Sequence, residues 1–110
     1  MTFALEEEGG RPVNVGSEFP AGDFRVYYFF SYQGMTQGSV WTYGWYRDGV
    51  YLDGNTCLWG VRLEFCPRIF GTSGSNFLFF RAPGGYQPGV YEVRVWIEDR
   101  LQTNAQFIVR

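Results

Sequence analysis

Apolar and polar residues alternate with a period of two through most of the chain. Such alternation is typical of β-strands that bury one face. The segments that show it, or that are short and apolar on both faces, are residues 24–32, 40–46, 59–65, 77–80, 91–97 and 101–109. No window shows a helical period, and strands this short need a second sheet to cover their apolar faces. The pattern therefore predicts an all-β, two-sheet antiparallel sandwich of about seven strands.

Turn residues lie between these segments. Asp48-Gly49 suits a two-residue hairpin turn because both residue types tolerate a positive φ. Asp53-Gly54-Asn55 predicts a second turn, and Glu98-Asp99 predicts the turn before the last strand.

Strand parity assigns most of the aromatic residues to the core. It places these residues inward: Phe24, Tyr28, Phe30, Trp41, Trp45, Trp59, Phe65, Tyr91 and Phe107. In the last strand it also places Leu101 on the inward face.

Residues 1–12 differ from the remainder of the chain. Three consecutive acids, Glu6 to Glu8, precede a flexible Gly-Gly-Arg-Pro joint, and the first residues lack the pattern of a signal peptide. We expect an N-terminal tail or linker over residues 1–12 and one β-sandwich domain over residues 13–110.

Composition excludes several classes of function. The 110 residues carry a net charge of −2 and contain neither His nor Lys, which disfavours nucleic-acid binding and removes the usual general bases. No apolar run reaches the roughly 18 residues of a membrane span. No nucleophile has an identifiable base, so we expect a protein that is not an enzyme and uses no cofactor.

Several short motifs suggest a family. Trp41 and Trp45 match the buried indoles of immunoglobulin-like sandwiches, and Gly89-x-Tyr91 matches a tyrosine corner. A β-barrel of similar size is the alternative fold. The motifs run in the order Phe19-Pro20-Ala21-Gly22, Trp41-x3-Trp45-Tyr46-Arg47-Asp48-Gly49, Pro88-Gly89-Val90-Tyr91 and Phe107-Ile108-Val109. Over residues 19–110 the chain resembles the Ig-like β-sandwich modules found at the C-termini of bacterial exported or membrane-anchored proteins, which often carry a trypsin-like protease or a protein kinase upstream. The resemblance implies a non-catalytic accessory role in an extracytoplasmic protein.

Cys57 and Cys66 are the only cysteines. In the extracytoplasmic setting that the resemblance implies, they are expected to form a disulfide, which requires a bend near Gly60. Two separate buried thiols are the alternative. A metal or redox pair is disfavoured because no further soft ligand exists and the spacing is not Cys-x-x-Cys.

Other polar residues invite a metal or ligand interpretation. Asp48, Asp53 and Asn55 offer oxygen ligands for calcium, but turn chemistry explains all three, and we predict no metal site. Parity leaves Trp96 and Tyr46 facing outward, and it groups the following residues as a candidate ligand or partner contact: Trp96, Tyr46, Arg94, Gln106 and Asn104. The simpler interpretation is that the tail or a neighbouring domain covers Trp96. Tyr27 and Phe29 also face outward, on the other sheet, and are a second candidate contact.

The functional hypotheses follow from these surfaces. The first is an interaction module or spacer that contacts a protein partner or other domains of its parent protein. The second is a carbohydrate-binding module in which outward aromatics stack on sugar rings. The third is a subunit of a self-assembling surface fibre, which would be favoured if residues 1–12 pair with a neighbouring chain.

Overall fold

The alternating segments form two packed β-sheets in the computed structural model, which describes residues 2–64, 66–67 and 71–110. The described residues contain nine strands and no helix. The strands are β1 Thr2–Glu8, β2 Arg11–Val15, β3 Glu18–Phe19, β4 Arg25–Tyr32, β5 Val40–Arg47, β6 Val50–Leu58, β7 Gly74–Arg81, β8 Gly89–Ile97 and β9 Arg100–Val109. The predicted all-β sandwich is confirmed.

The two sheets differ in width. One has four strands in the order β2-β1-β4-β7, and the other has five in the order β3-β9-β8-β5-β6. Neighbouring strands are antiparallel except for β3, which pairs in parallel with the end of β9. The hairpin turn predicted at Asp48-Gly49 is confirmed, because Arg47 pairs with Val50 and both turn residues have a positive φ.

The core lies between the sheets and is unusually aromatic. Of the aromatic residues predicted to point inward, Tyr28, Trp41, Trp45, Trp59, Tyr91 and Phe107 are buried, and Phe24 and Phe30 are half-buried against them. Phe65 lies outside the described residues. Tyr86 is also fully buried, and its ring contacts those of Phe24, Phe80, Tyr91 and Phe107.

The tyrosine predicted to close a corner makes the expected bonds. The Tyr91 hydroxyl donates to the Gln87 carbonyl oxygen at 3.0 Å and lies 3.1 Å from the Gln87 amide nitrogen, from which it accepts. This pair of bonds ties β8 to the segment that enters it from four residues upstream.

The prediction of a tail over residues 1–12 is wrong. Residues 2–8 form β1, which pairs with both β2 and β4, and β2 crosses the expected boundary at residue 13. Phe3 points into the core, where its ring lies 5.0 Å from Tyr28 and 4.9 Å from Phe107. Ala4 is also fully buried and Leu5 packs against the core, whereas the acids Glu6 to Glu8 remain exposed. Burial of these apolar residues and pairing with two strands hold the segment in place.

Two predictions around β6 are also wrong. Asp53-Gly54-Asn55 is not a turn but the middle of β6, where Gly54 pairs with Gly44 of β5. The glycine has a packing role, because a Cβ at position 54 would lie 2.1 Å from the Tyr43 carbonyl oxygen. The strand predicted over residues 59–65 is absent from its described part: β6 ends at Leu58, and Gly60, with φ +73°, turns the chain away.

A register shift in the β8–β9 hairpin reverses one further assignment. Val95 pairs with Thr103 and Trp96 pairs with Leu101, so Gln102 is an extra residue in β9. Leu101 therefore shares the outer face with Trp96 and is 53% exposed, contrary to its predicted inward position.

Candidate functional site

Three of the predicted contact residues meet on the outer face of the five-stranded sheet. The Arg94 guanidinium lies over the Tyr46 ring, 4.1 Å from its centroid, and Arg94 Nε donates to Glu92 Oε1. Asn104 Nδ2 donates to the other Glu92 oxygen at 3.1 Å. We call this set, with the neighbouring Gln106 and Trp96, the β8 surface; its members are Tyr46, Glu92, Arg94, Trp96, Asn104 and Gln106.

Glu92 organises the β8 surface, and sequence analysis did not single it out. It is only 9% exposed, and its ion pair with Arg94 and its bond to Asn104 satisfy both carboxylate oxygens. The detectable signal was parity, since Glu92, Arg94 and Trp96 alternate with the buried residues of β8.

Gly44 gives the Tyr46 ring its position. A Cβ at residue 44 would lie 2.9 Å from Tyr46 Cε1, so the ring lies against the bare backbone of Gly44. With Arg94 stacked on it as well, the ring is half-buried and both of its neighbours limit access to it. Tyr46 therefore offers an edge to an incoming ligand rather than a free face.

The structure does not bring Trp96 beside Tyr46. Trp96 pairs with Thr42, and Tyr46 lies four residues further along the same strand, so the two positions are about 13 Å apart at the rise of a β-strand. Trp96 is half-buried beside Leu101, and Gln106 is exposed opposite Glu92. The β8 surface is thus a polar cluster held by hydrogen bonds and an ion pair, with Trp96 apart from it, and it does not form one continuous aromatic surface.

A second surface lies on the outer face of the four-stranded sheet. Four aromatic side chains from β4 and β7 form what we call the β4–β7 surface: Tyr27, Phe29, Phe77 and Phe79. Tyr27 lies 5.5 Å from Phe77 and 5.8 Å from Phe79, and Phe29 lies 5.3 Å from Phe77, all between ring centroids. Phe79 is 52% exposed, and the other three are half-buried by one another and by the sheet.

Charged residues border one end of the β4–β7 surface. The Arg25 guanidinium lies 5.0 Å from the Phe79 centroid, and Arg25 pairs across the strands with Arg81. Arg81 forms a two-pronged ion pair with Asp23 at 2.8 and 2.7 Å, and its hydrogen bonds lower the pKa of the Asp23 carboxyl. The carboxylate offsets the repulsion between the two guanidinium groups.

Sequence parity already placed Tyr27 and Phe29 outward, but it gave no reason to combine them with Phe77 and Phe79. The strand order supplies that reason, because β4 pairs with β7 in a register that sets Tyr27 opposite Phe79 and Phe29 opposite Phe77. These cross-strand pairs are close enough for direct ring contact.

The predicted disulfide between Cys57 and Cys66 is present, with Cα atoms 6.0 Å apart. The bend that permits it occurs at Gly60, as the sequence required. The bridge links the C-terminal end of β6 to the loop that follows it. The Trp59 indole Nε1 forms a second link across this loop by donating to the Gly71 carbonyl oxygen at 2.9 Å.

No cluster of three or more potential metal ligands occurs among the described residues. Asp48 instead links the β5–β6 turn to β8, because its Oδ1 accepts a hydrogen bond from the Val90 amide at 2.9 Å. No helix in the described part of the chain is long and apolar enough to cross a membrane.

No family model matches the chain, and no curated protein matches it either.

Proposed function

We propose that this protein is a non-catalytic binding module that contacts a protein partner through the β4–β7 surface. The observation that carries the proposal is the set of four aromatic rings in mutual contact on a sheet face open to solvent, with Phe79 half-exposed. Water-facing aromatic clusters of this kind are typical of sites that another surface covers.

The chemistry of the β4–β7 surface suits a protein partner. Aromatic residues and Arg dominate the energetics of protein interfaces, and here Arg25 is stacked on Phe79 at the edge of the cluster. Because the rings hold one another in place, little side-chain entropy would be lost on binding.

Strand order and the disulfide support the wider assignment to an Ig-like module of an exported protein. The strand order β9-β8-β5-β6, packed against a sheet that contains β4 and β7, is similar to an immunoglobulin-like sandwich with an added edge strand. A disulfide that bridges Cys57 and Cys66 is typical of proteins that mature outside the cytoplasm. A bacterial origin rests on the sequence resemblance alone.

A carbohydrate ligand is the second candidate, and the half-buried, outward-facing Trp96 on the β8 surface favours it. The Asn104 and Gln106 side chains lie on the same sheet face and have the planar amides that bond sugar hydroxyls. Against it, Tyr46 is covered by Arg94 and cannot supply a second stacking ring. The fibre hypothesis has less support, because β1 pairs with β4 of its own chain.

Site-specific photocrosslinking tests the protein-contact proposal. A benzoylphenylalanine in place of Phe79 is expected to give one discrete protein adduct in the extracytoplasmic fraction of the source organism. The matched control carries the same group at Val50, which is 66% exposed on β6 and lies outside both surfaces. Equal adducts at residues 79 and 50, or none at 79, would contradict the proposal.

A second pair of variants separates protein binding from carbohydrate binding. Phe79→Ser is expected to reduce adduct formation from a crosslinker placed at Phe77, whereas Trp96→Ala is expected to leave it unchanged. If Trp96→Ala instead abolishes retention on insoluble polysaccharides while Phe79→Ser does not, the carbohydrate hypothesis replaces the present one.

A further inference from the structure

A cavity of about 490 Å³ opens between the two sheets at the end where β4 finishes and β5 begins. One wall is formed by the C-terminal end of β4, with Phe30, and the other is formed by β8, with Val95 and Ile97. Liquid water occupies about 30 Å³ per molecule, so the space is many waters in size and falls within the range of small-molecule sites.

The cavity lies where strand ends from the two sheets face each other. Phe30, Ser31 and Tyr32 are the last residues of β4 in the four-stranded sheet. Val95 and Ile97 belong to the last part of β8 in the five-stranded sheet. The lining therefore comes from both sheets and lies between them.

The lining is graded from apolar to polar. Its floor is formed by the indoles of Trp41 and Trp59, which are 2% and 3% exposed and meet edge to face at 5.6 Å. Exposed amides from Gln33 and Gln102 lie at the mouth. The Trp59 Nε1 already donates to Gly71, so Trp59 presents its ring, and not a hydrogen-bond donor, to the cavity.

No described residue that lines the cavity carries a charge. A charged ligand would lose its hydration without gaining a counter-ion, a cost that a neutral ligand avoids. The two exposed amides can still bond a hydroxyl, carbonyl or amine that remains near the mouth.

From this gradient and this neutrality we infer that the cavity is a binding site for an uncharged small molecule with an apolar ring system and one hydrogen-bonding group. The ring system lies against Trp41 and Trp59, and the polar group faces Gln33 and Gln102. The site is independent of the proposed protein contact, because its lining lies between the sheets and the β4–β7 surface lies outside them.

Two fluorescent probes with the same aromatic body test the inference on the purified, oxidised protein. N-phenyl-1-naphthylamine is neutral, whereas 8-anilino-1-naphthalenesulfonate adds one sulfonate. We expect the neutral probe to bind at a single saturable site and to quench tryptophan emission. The sulfonate probe is expected to bind at least about tenfold more weakly.

A matched pair of variants locates the site. Ile97→Trp places a large side chain in the cavity and is expected to reduce binding of the neutral probe by about tenfold or more. Leu101→Trp makes the corresponding change from an isomeric side chain on the outer face of the same hairpin, and is expected to leave binding unchanged. If Ile97→Trp does not fold, Met35→Trp fills the cavity from the loop on its other side.

Three outcomes would overturn the inference. The first is no saturable binding of the neutral probe, and the second is equal affinity for both probes. The third is binding that survives Ile97→Trp and Met35→Trp but is lost in Phe79→Ser, which would place the probe on the β4–β7 surface. Failure of the crosslinking experiment at residue 79 leaves this inference intact, so the two proposals fail separately.

Discussion

Trp45 and Trp96 are the same residue type on neighbouring strands, and the sheet gives them opposite surroundings. Trp45 is 1% exposed and stacks on Phe80 across the core at 5.5 Å, while Trp96 is half-buried on the outer face. We expect Trp45→Ala to lower the free energy of unfolding by about 3–5 kcal/mol through the cavity it leaves. Trp41→Ala is expected to behave similarly, because Trp41 is equally buried.

Urea denaturation of Trp45→Ala and Trp96→Ala side by side measures this difference. Trp96→Ala is expected to cost roughly 1 kcal/mol, because Trp96 lies on the outer face of the sheet and is only half-buried there. Equal losses in the two variants would mean that Trp96 is a core residue, and would remove the reason to consider it for binding.

Tyr91 shows how a single hydroxyl contributes to the fold. Its oxygen accepts from and donates to the backbone of Gln87, so Tyr91→Phe leaves two backbone groups without that partner. We expect a loss of about 1–2 kcal/mol in the free energy of unfolding. Tyr51→Phe is the matched control: Tyr51 is 56% exposed, and its loss should be within about 0.5 kcal/mol. Identical urea midpoints for Tyr91→Phe and the parent would contradict a structural role for the corner.

At the scale of elements, the hairpin of β5 and β6 depends on two facing glycines with different reasons for being small. At Gly54 a Cβ would meet the Tyr43 backbone oxygen at 2.1 Å, whereas at Gly44 it would meet the movable Tyr46 ring at 2.9 Å. Gly54→Ala must displace backbone, so we expect a loss of at least about 3 kcal/mol. Gly44→Ala can be accommodated by rotation of the Tyr46 side chain and is expected to cost less than about 1.5 kcal/mol.

Thermal melts of the two alanine variants test this contrast, with near-ultraviolet circular dichroism as a report on Tyr46. Gly44→Ala is expected to change the tyrosine signal more than the stability, because it moves the ring away from Arg94. A Gly54→Ala variant as stable as Gly44→Ala would show that β6 can shift without cost.

The strands of both sheets also show where the alternation of apolar and polar residues predicts structure and where it does not. Alternation was sufficient for the faces of β4, β5 and β8, because each buries one face along its length. It failed where a local feature competes with it: Gly54 has turn-forming neighbours yet is required for close strand approach, and the extra residue Gln102 moves Leu101 to the outer face. For the β8 surface, parity identified Tyr46, Arg94 and Asn104, but the part played by Glu92 depends on the β8–β9 register, which brings the Asn104 amide within reach of its carboxylate. For the β4–β7 surface, parity placed Tyr27 and Phe29 outward, but their contact with Phe77 and Phe79 depends on the pairing of β4 with β7, which are distant in the chain.

At the scale of the whole molecule, the aromatic core gives stability a specific dependence on alkaline pH. Burial raises the pKa of Tyr28, Tyr43 and Tyr86, and for Tyr43 the nearby Asp53 carboxylate raises it further. In the unfolded chain these phenols ionise near pH 10, at the ordinary value for tyrosine. Their raised pKa values in the folded state mean that stability is fully present below about pH 10 and falls as pH rises toward the folded pKa values.

We therefore expect the free energy of unfolding to decrease above about pH 10, by up to roughly 1.4 kcal/mol per pH unit for each of the three tyrosines. Tyr86 is the most informative, because its hydroxyl is fully buried and donates to the Phe80 carbonyl oxygen. Tyr86→Phe loses that bond and is expected to be less stable than the parent at neutral pH. It also lacks the ionisable group, so its disadvantage should shrink above pH 10.

Urea midpoints measured from neutral to strongly alkaline pH, together with phenolate absorbance, test this expectation, and Tyr51→Phe serves as the exposed control. Recovery of the original midpoint on return to neutral pH separates ionisation from alkaline damage to the disulfide. A parent protein and a Tyr86→Phe variant whose midpoints fall in parallel above pH 10 would show that the buried phenol does not resist ionisation. The alkaline loss would then come from Tyr28, from Tyr43 or from repulsion among surface charges, and added salt would reduce the surface-charge contribution.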